Sequence, residues 1–223
     1  MNISIVIPCY NEEESIGPVL ESLPQVYEVI VVDNNSTDKT GEIAKSKDAK
    51  VVFEKKQGYG AAYKAGFAAA TGDIIATLDG DGQYPAERIL DIVDDLIKNN
   101  LDFISASRFP MKQKSINATR IFGNHFLTIW ANVLFGIRLH DSQSGMWIFR
   151  RSIFDRITLT SDDMPLSQEL KIRVATDPTL KFKEVHIPYY PRVGESKLFP
   201  LKHGIKNFLA LFELKKDLKN GKK

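Results

Sequence analysis

The chain lacks the marks of several large protein classes. Cys9 is its one cysteine, so no disulfide can form within the chain and a reducing, cytosolic setting is expected. No uncharged apolar run approaches the roughly 20 residues of a membrane-spanning helix, so membrane contact is expected to be peripheral at most. The opening Met1-Asn2-Ile3-Ser4-Ile5 has neither the charged nor the apolar region of a secretory signal. A net charge of +2 is too small to suggest a nucleic-acid partner. The four histidines (125, 140, 186, 203) are scattered without metal-ligand spacing. A Walker phosphate loop, a His-Glu-x-x-His pair and a Gly-x-Ser-x-Gly elbow are all missing. Gly58-Tyr59-Gly60 is not a dinucleotide-binding turn. Tyr63 stands where the third glycine belongs, and the stretch follows a third strand rather than the first.

What is present is a regular alternation. Ile3 to Ile7, Glu28 to Asp33, Val51 to Phe53, Asp73 to Leu78 and Leu101 to Ser105 read as short, β-branched, near-continuously apolar strands. Between them lie helical stretches: one through Ile16, Val19, Leu20 and Leu23, one through Ile43 and Ala44, one from Gly58 to Ala70, and one from Ala86 to Lys98. Glu12 to Glu14 are expected in the first turn of the first helix, where acidic residues suit the macrodipole. Ile157 to Asp177 is expected to add helices, and Phe182 to Pro188 a late strand. The pattern predicts an α/β fold with a mostly parallel sheet covered by helices on both faces.

The fourth strand ends in Asp79-Gly80-Asp81-Gly82-Gln83. Two carboxylates one residue apart at the carboxyl end of a strand lie where open α/β sheets bind ligands. Such oxygen ligands suit Mg²⁺ or Mn²⁺, held together with substrate phosphates. Asp33 ends the second strand and would share that sheet edge. Asp and Gly are also ordinary turn residues, and Asp33 would equally serve as a cap. An EF-hand is excluded, because its obligatory Gly and Glu positions hold Tyr84 and Leu90.

Several stretches taken in order carry a resemblance: IVIPCYNEEESI, VVDNNSTDKTGEIA, GYGAA, LDGDGQYP, DSQSG and RVGESKL. Over roughly the first two hundred residues the chain resembles family 2 glycosyltransferases, nearest the dolichyl-phosphate (polyprenyl-phosphate) sugar synthases. The resemblance implies the GT-A nucleotide-diphospho-sugar transferase fold and transfer of a hexose, with inversion, from a nucleotide donor to dolichyl or polyprenyl phosphate. It implies that Pro8, Tyr10 and Glu12 hold base and ribose, that Asp33 contacts the base, and that Asp79, Asp81 and Gln83 bind Mg²⁺ or Mn²⁺ with Gly80 beside the sugar. Arg108 matches an arginine near the phosphates. Arg192, Ser196 and Lys197 match a loop that closes over donor and acceptor phosphates, and Arg120 and Asn124 fall near the acceptor-phosphate positions. Asp81, Arg192 and Lys197 are the residues expected to carry catalysis. Two departures stand out: Asp33-Asn34 where many members read Asp-Asp, and Gly145-Met146-Trp147 where members often read Gly-Phe-Arg.

The chemistry fits that expectation. A lipid phosphate is anionic at neutral pH and needs no strong base, so the difficulty lies in the leaving nucleotide diphosphate, which a divalent ion neutralises. Arg108, Arg192 and Lys197 add charge-assisted hydrogen bonds, unless they are ordinary surface ion pairs. Asp141 or Glu169 is expected either to orient the sugar, to act as a base, or simply to cap or pair.

Two stretches bear on membranes. Phe122, Phe126, Ile129, Trp130, Val133 and Ile137 share one helical face, as do Leu201, Ile205, Phe208, Leu209 and Phe212, with lysines nearby up to Lys223. Such stripes are either core or membrane-interfacial. The expected organisation is a catalytic domain over 1–198, including an amphipathic helix over 116–138, then an amphipathic helix and basic tail over 199–223. The expected location is the cytoplasmic face of a membrane, peripherally bound. The DSQSG wording leans toward UDP-glucose or UDP-N-acetylglucosamine, with GDP-mannose open. A family 2 transferase with a soluble or polysaccharide acceptor, or a nucleotide-sugar-binding module without turnover, are the alternatives.

Overall fold

In the computed structural model, which describes residues 1–110, 118–194 and 200–221, apolar strands and amphipathic helices alternate along the chain. In order they are β1 (Ile3–Cys9), α1 (Ile16–Ser22), β2 (Glu28–Asp33), α2 (Thr40–Ser46), β3 (Lys50–Phe53), α3 (Tyr59–Ala69) and β4 (Ile74–Thr77). There follow α4 (Ile89–Lys98), β5 (Phe103–Ser107), α5 (Ala118–Phe135), β6 (Trp147–Arg150), α6 (Leu166–Thr176), β7 (Phe182–His186) and α7 (Pro200–Lys219). The strands form one seven-stranded sheet in the order β3-β2-β1-β4-β6-β5-β7. β3, β2, β1 and β4 are mutually parallel, and β5 is parallel to β7. β6 runs antiparallel to both its neighbours.

Successive strand residues point to opposite faces, and the sheet is buried on both. One face, with Ile5, Ile7, Val31 and Ile104, packs on Ile16 and Val19 of α1 and on Ile89, Ile92 and Leu96 of α4. The other, with Val6, Ile30, Val32 and Phe103, packs on Tyr63 and Phe67 of α3 and on Leu166 and Leu170 of α6. A third cluster joins Ala131 of α5, Ile172 of α6 and Leu211 and Leu214 of α7. That cluster seats α5 and α7 beside each other at one end of the sheet.

Several expectations shift. The fifth strand begins at Phe103 rather than Leu101, and the helix expected from Ala86 starts as a 3₁₀ turn over Ala86–Arg88. α1 begins at Ile16, so Glu12 to Glu14 precede it and none lies in its first turn. β6 is not among the expected strands. Its four residues are largely buried on both faces, so they show no alternation to read.

Candidate active site

β1, β2 and β4 end at one edge of the sheet, and the loops leaving them enclose a cavity of about 540 Å³. Asp79 and Asp81 stand at its base, beside Glu12 and Arg192. The first of the two carboxylates is held by tyrosines of α3. Tyr63 Oη lies 3.2 Å and Tyr59 Oη 3.4 Å from Asp79 Oδ1. Asp81, 4% exposed, accepts from its own loop at Gln83 N (3.1 Å) and pairs with Arg192 Nη1 at 2.5 Å. Arg192 also pairs with Glu12. Burial and then the charge of Asp81 push the Asp79 carboxyl up to about 7. Burial raises Asp81 as well, against the pull of Arg192. Two crowded carboxylates whose negative form is disfavoured are a donor set suited to a hard divalent cation.

Gln83, the expected third metal ligand, has both ends of its amide engaged. Its Nε2 donates to Tyr190 O (3.1 Å) and its Oε1 accepts from Tyr189 Oη (3.0 Å). It ties the Asp81 loop to the segment leading to Arg192, a tie repeated by Val193 N donating to Asp81 O. Among the described residues, no three His, Cys, Asp or Glu side chains gather as a metal site. Gly80 sits where a Cβ would come 2.5 Å from Cys9 Sγ, so the Asp79–Asp81 turn lies flush against the end of β1.

Arg108 reaches the cavity wall but its guanidinium is committed. Nε donates to Asp141 Oδ2 (2.7 Å) and Nη2 to Asp141 Oδ1 (2.9 Å), in a bidentate buried pair. Lys171 Nζ adds a bond to Asp141 O. Burial opposes ionisation of Asp141, yet the Arg108 guanidinium holds its carboxyl well below the usual range. Asp141 is thus an anchor, not a base facing the cavity. Glu169 likewise pairs with Arg173 and accepts from Thr160 and Ser161.

Pro8, Tyr10, Glu12, Arg120 and Asn124 line the cavity as expected positions, the last two from α5. Asp33 does not. Its carboxylate accepts from Ser36 N (2.9 Å) in the turn after β2, with Gly41 against its other oxygen. The neighbouring Asn34 lines the cavity instead. It donates to Glu54 O and Lys56 O and accepts from Gly58 N, and an aspartate could not make the two donations. Ser196 and Lys197 lie outside the described residues. Tyr59, Tyr84, Tyr189 and Gln143 also line the cavity and are not among the expected site residues. For the tyrosines of α3 a signal existed, since Tyr59 and Tyr63 are four apart and must share a helical face.

α5 and α7 close one side of the cavity through Gly123, Leu127, Gly204 and Asn207. They pack by aromatic contacts, Trp130 meeting Phe208 at 5.5 Å and Phe126 meeting Phe208 at 5.5 Å. Their inner stripe is core, but a second stripe is not. Phe122 is 74% exposed, Val133 71%, Leu201 79% and Leu209 57%, so each helix carries exposed large apolar side chains as well as buried ones. No described helix is long and apolar enough to cross a membrane.

Residues 4–158 match the family described as "Glycosyl transferase family 2". The chain belongs to glycosyl transferase family 2. Among family relatives, a dolichyl-phosphate hexose transferase of Haloferax volcanii is 35% identical over 207 residues, covering 91% of this chain and 89% of the relative. A dodecaprenyl-phosphate galacturonate synthase of Rhizobium johnstonii is 31% identical over 73% of this chain and 52% of its own. In three dimensions, glucosyl-3-phosphoglycerate synthase of Mycobacterium tuberculosis, solved with Mn²⁺, UDP-glucose and phosphoglyceric acid, superposes with a TM-score of 0.75. At 20% identity, over 96% of this chain and 80% of the other, that likeness shows the fold, which is GT-A.

Proposed function

We propose that this family 2 glycosyltransferase moves a hexose, with inversion, from a nucleoside diphosphate sugar to dolichyl or another polyprenyl phosphate at a membrane surface. The observation that carries the reading is the shared wall. α5 and α7 bound the cavity on one side and expose an apolar face on the other. An acceptor with an anionic head and a long hydrocarbon tail fits both sides of that wall. Apolar exposed stripes with lysines such as Lys202 and Lys216 suit an interfacial helix and an anionic leaflet. The cytoplasmic face of the membrane is the expected location.

Pro8, Tyr10 and Asn34, which line the cavity, would bound the nucleoside, with Asp33 acting through the turn it caps. Asp79 and Asp81 would hold Mg²⁺ or Mn²⁺, and Gln83 orients their loop. The bound ion supplies positive charge that neutralises the departing diphosphate. Arg192 carries a guanidinium that can exchange its bond to Asp81 for donor phosphate oxygens, followed in sequence by Ser196 and Lys197. Arg120 and Asn124, which line the cavity from α5, would hold the acceptor phosphate. That phosphate is already ionised, so the commitment of Asp141 and Glu169 to other partners removes nothing the reaction needs. UDP-glucose and UDP-N-acetylglucosamine are the preferred donors, with GDP-mannose third.

A soluble phosphate-bearing acceptor is the second reading, favoured by the phosphoglyceric acid bound in the structural neighbour. The test is transfer of labelled sugar from each of the three donors to dolichyl phosphate in vesicles, with Mg²⁺ or Mn²⁺ and with Asp81→Ala as control. Metal-dependent labelled lipid from one donor, lost in the control, is the expected result. No lipid product from any donor, with nucleotide binding intact, sinks the lipid acceptor and leaves the soluble acceptor or a binding module.

A further inference from the structure

Three stretches far apart in the chain meet on Asp79: the start of α3, the loop ahead of β6, and the end of β4. Tyr59 and Tyr63 project from adjacent turns of α3, their rings 4.8 Å apart and edge to face. Both hydroxyls approach the same carboxylate oxygen, Asp79 Oδ1. Tyr63 Oη is also 3.2 Å from Gly145 O, but that carbonyl already accepts from Thr77 Oγ1 at 2.8 Å. Of the two acceptors at 3.2 Å, the Asp79 carboxylate is the one that can carry negative charge, and a charged acceptor makes the stronger bond. Gly145 makes the approach possible. A Cβ there would lie 2.3 Å from Tyr59 Oη and 3.3 Å from Asp79 Oδ1. Its own N–H donates to Tyr84 Oη at 2.6 Å, which fixes the loop from the other side. The start of α3 is likewise held, with Ala61 N donating to Asp162 O at 2.9 Å. A Cβ on Gly60 would meet Ser161 O at 2.4 Å, so this helix end is packed against protein rather than open to a phosphate.

We propose that Tyr59 and Tyr63 are positioning residues for donor binding: they occupy Asp79 Oδ1 and so turn Oδ2 alone toward the nucleotide sugar and its cation. This rests on the donor reading above. A carboxylate restrained in this way presents one oxygen in one direction, and the entropy of fixing it is spent on folding rather than on binding. Tyr59 lines the cavity and Tyr63 stands behind it, and the role assigned to both runs through Asp79.

The test is a double-mutant cycle between the tyrosines and Asp79, read by titration calorimetry. The probes are UDP-glucose, UDP-N-acetylglucosamine and GDP-mannose with Mn²⁺, using whichever the unaltered chain binds. Tyr→Phe keeps the ring at 63 packed against Phe67 and Trp147 and the ring at 59 against that at 63. Hydrogen bonds to a charged group predict that Tyr59→Phe with Tyr63→Phe weakens donor binding about 10-fold or more. In an Asp79→Asn background the same pair of changes is expected to add little further loss. Donor binding equal to that of the unaltered chain overturns the inference. So does a loss as large in the Asp79→Asn background as without it, which would mean that the tyrosines act by another route. A circular-dichroism melt run alongside separates weakened binding from loss of fold, and a melt that falls while donor affinity holds also overturns it. If the unaltered chain binds none of the three donors, the donor reading itself fails, and this inference with it.

Discussion

Asp141→Asn is the sharpest probe of how the cavity wall is held. The change keeps the shape of the side chain and removes one buried negative charge. Arg108, 7% exposed, loses its bidentate partner, and fully buried Lys171 keeps only its bond to the Asp141 backbone carbonyl and the charge of Glu184. Removing one partner of a buried ion pair costs about 3–5 kcal/mol, because the other charge is left uncompensated. For a chain of 223 residues, at about 2–4 °C per kcal/mol, that is a fall in Tm of roughly 6–20 °C. The loss also has a pH signature. Burial pulls Lys171 down to about 7, below its unfolded value, while Asp141 works against that pull. The unfolded chain therefore binds the Lys171 proton across roughly pH 7 to 10 where the folded chain does not, and stability rises with pH there. Without Asp141 the folded value drops further and the window extends to lower pH. The cost of Asp141→Asn is thus expected to be greater at pH 6 than at pH 9. Urea unfolding followed by the fluorescence of buried Trp147 at both pH values measures it. A cost under about 1 kcal/mol, or one that grows toward pH 9, would refute the buried-pair reasoning.

Arg192→Gln leaves Asp81 and Glu12 without their shared partner. Losing two charge-assisted bonds to phosphate should cut kcat/KM for donor by about 100-fold, checked by steady-state kinetics. The raised Asp79 and Asp81 carboxyls make folding less favourable as pH rises from about 4 to 7, and a cation relieves that. The gain in melting temperature from Mn²⁺ plus UDP should therefore be larger at pH 7.5 than at pH 5.5, and an equal gain would count against the carboxylates as the cation's ligands. Gly145→Ala must push Tyr59 away and should cost about 1–3 kcal/mol by overpacking, measured by denaturant unfolding. Phe122→Ser with Leu201→Ser removes apolar area that is exposed in the free chain. Co-sedimentation with anionic vesicles should fall more than 10-fold while the melting temperature holds.

Much of this was legible from residue order. The β-branched runs of β1, β2 and β4 end in Pro8, Asp33 and Asp79, and strand termini of a parallel sheet share an edge, so the edge that carries the cavity could be foreseen. The stripes of α5 and α7 were readable as amphipathic. The sequence left open whether they were core or surface, because each helix carries both kinds of stripe. Leu127 and Leu211 are buried while Phe122 and Leu209 are exposed on the same helices. β6 was invisible, since Trp147 to Arg150 is short and largely covered on both faces. The bonds that decide the roles of Asp141, Gln83 and Asn34 join residues 20 to 107 positions apart. No local pattern encodes those partners.

The reversed direction of β6 changes which kind of segment can serve the site. In a wholly parallel sheet, only the segments leaving strands reach the carboxyl edge. β6 runs the other way, so the segment leading into it, residues 138–146, arrives at that same edge, beside Thr77 and Asp79. A transferase with this sheet can thus keep the cavity walls that follow β1 and β2 unchanged. Altering that one incoming segment then reshapes the cavity beside Asp79.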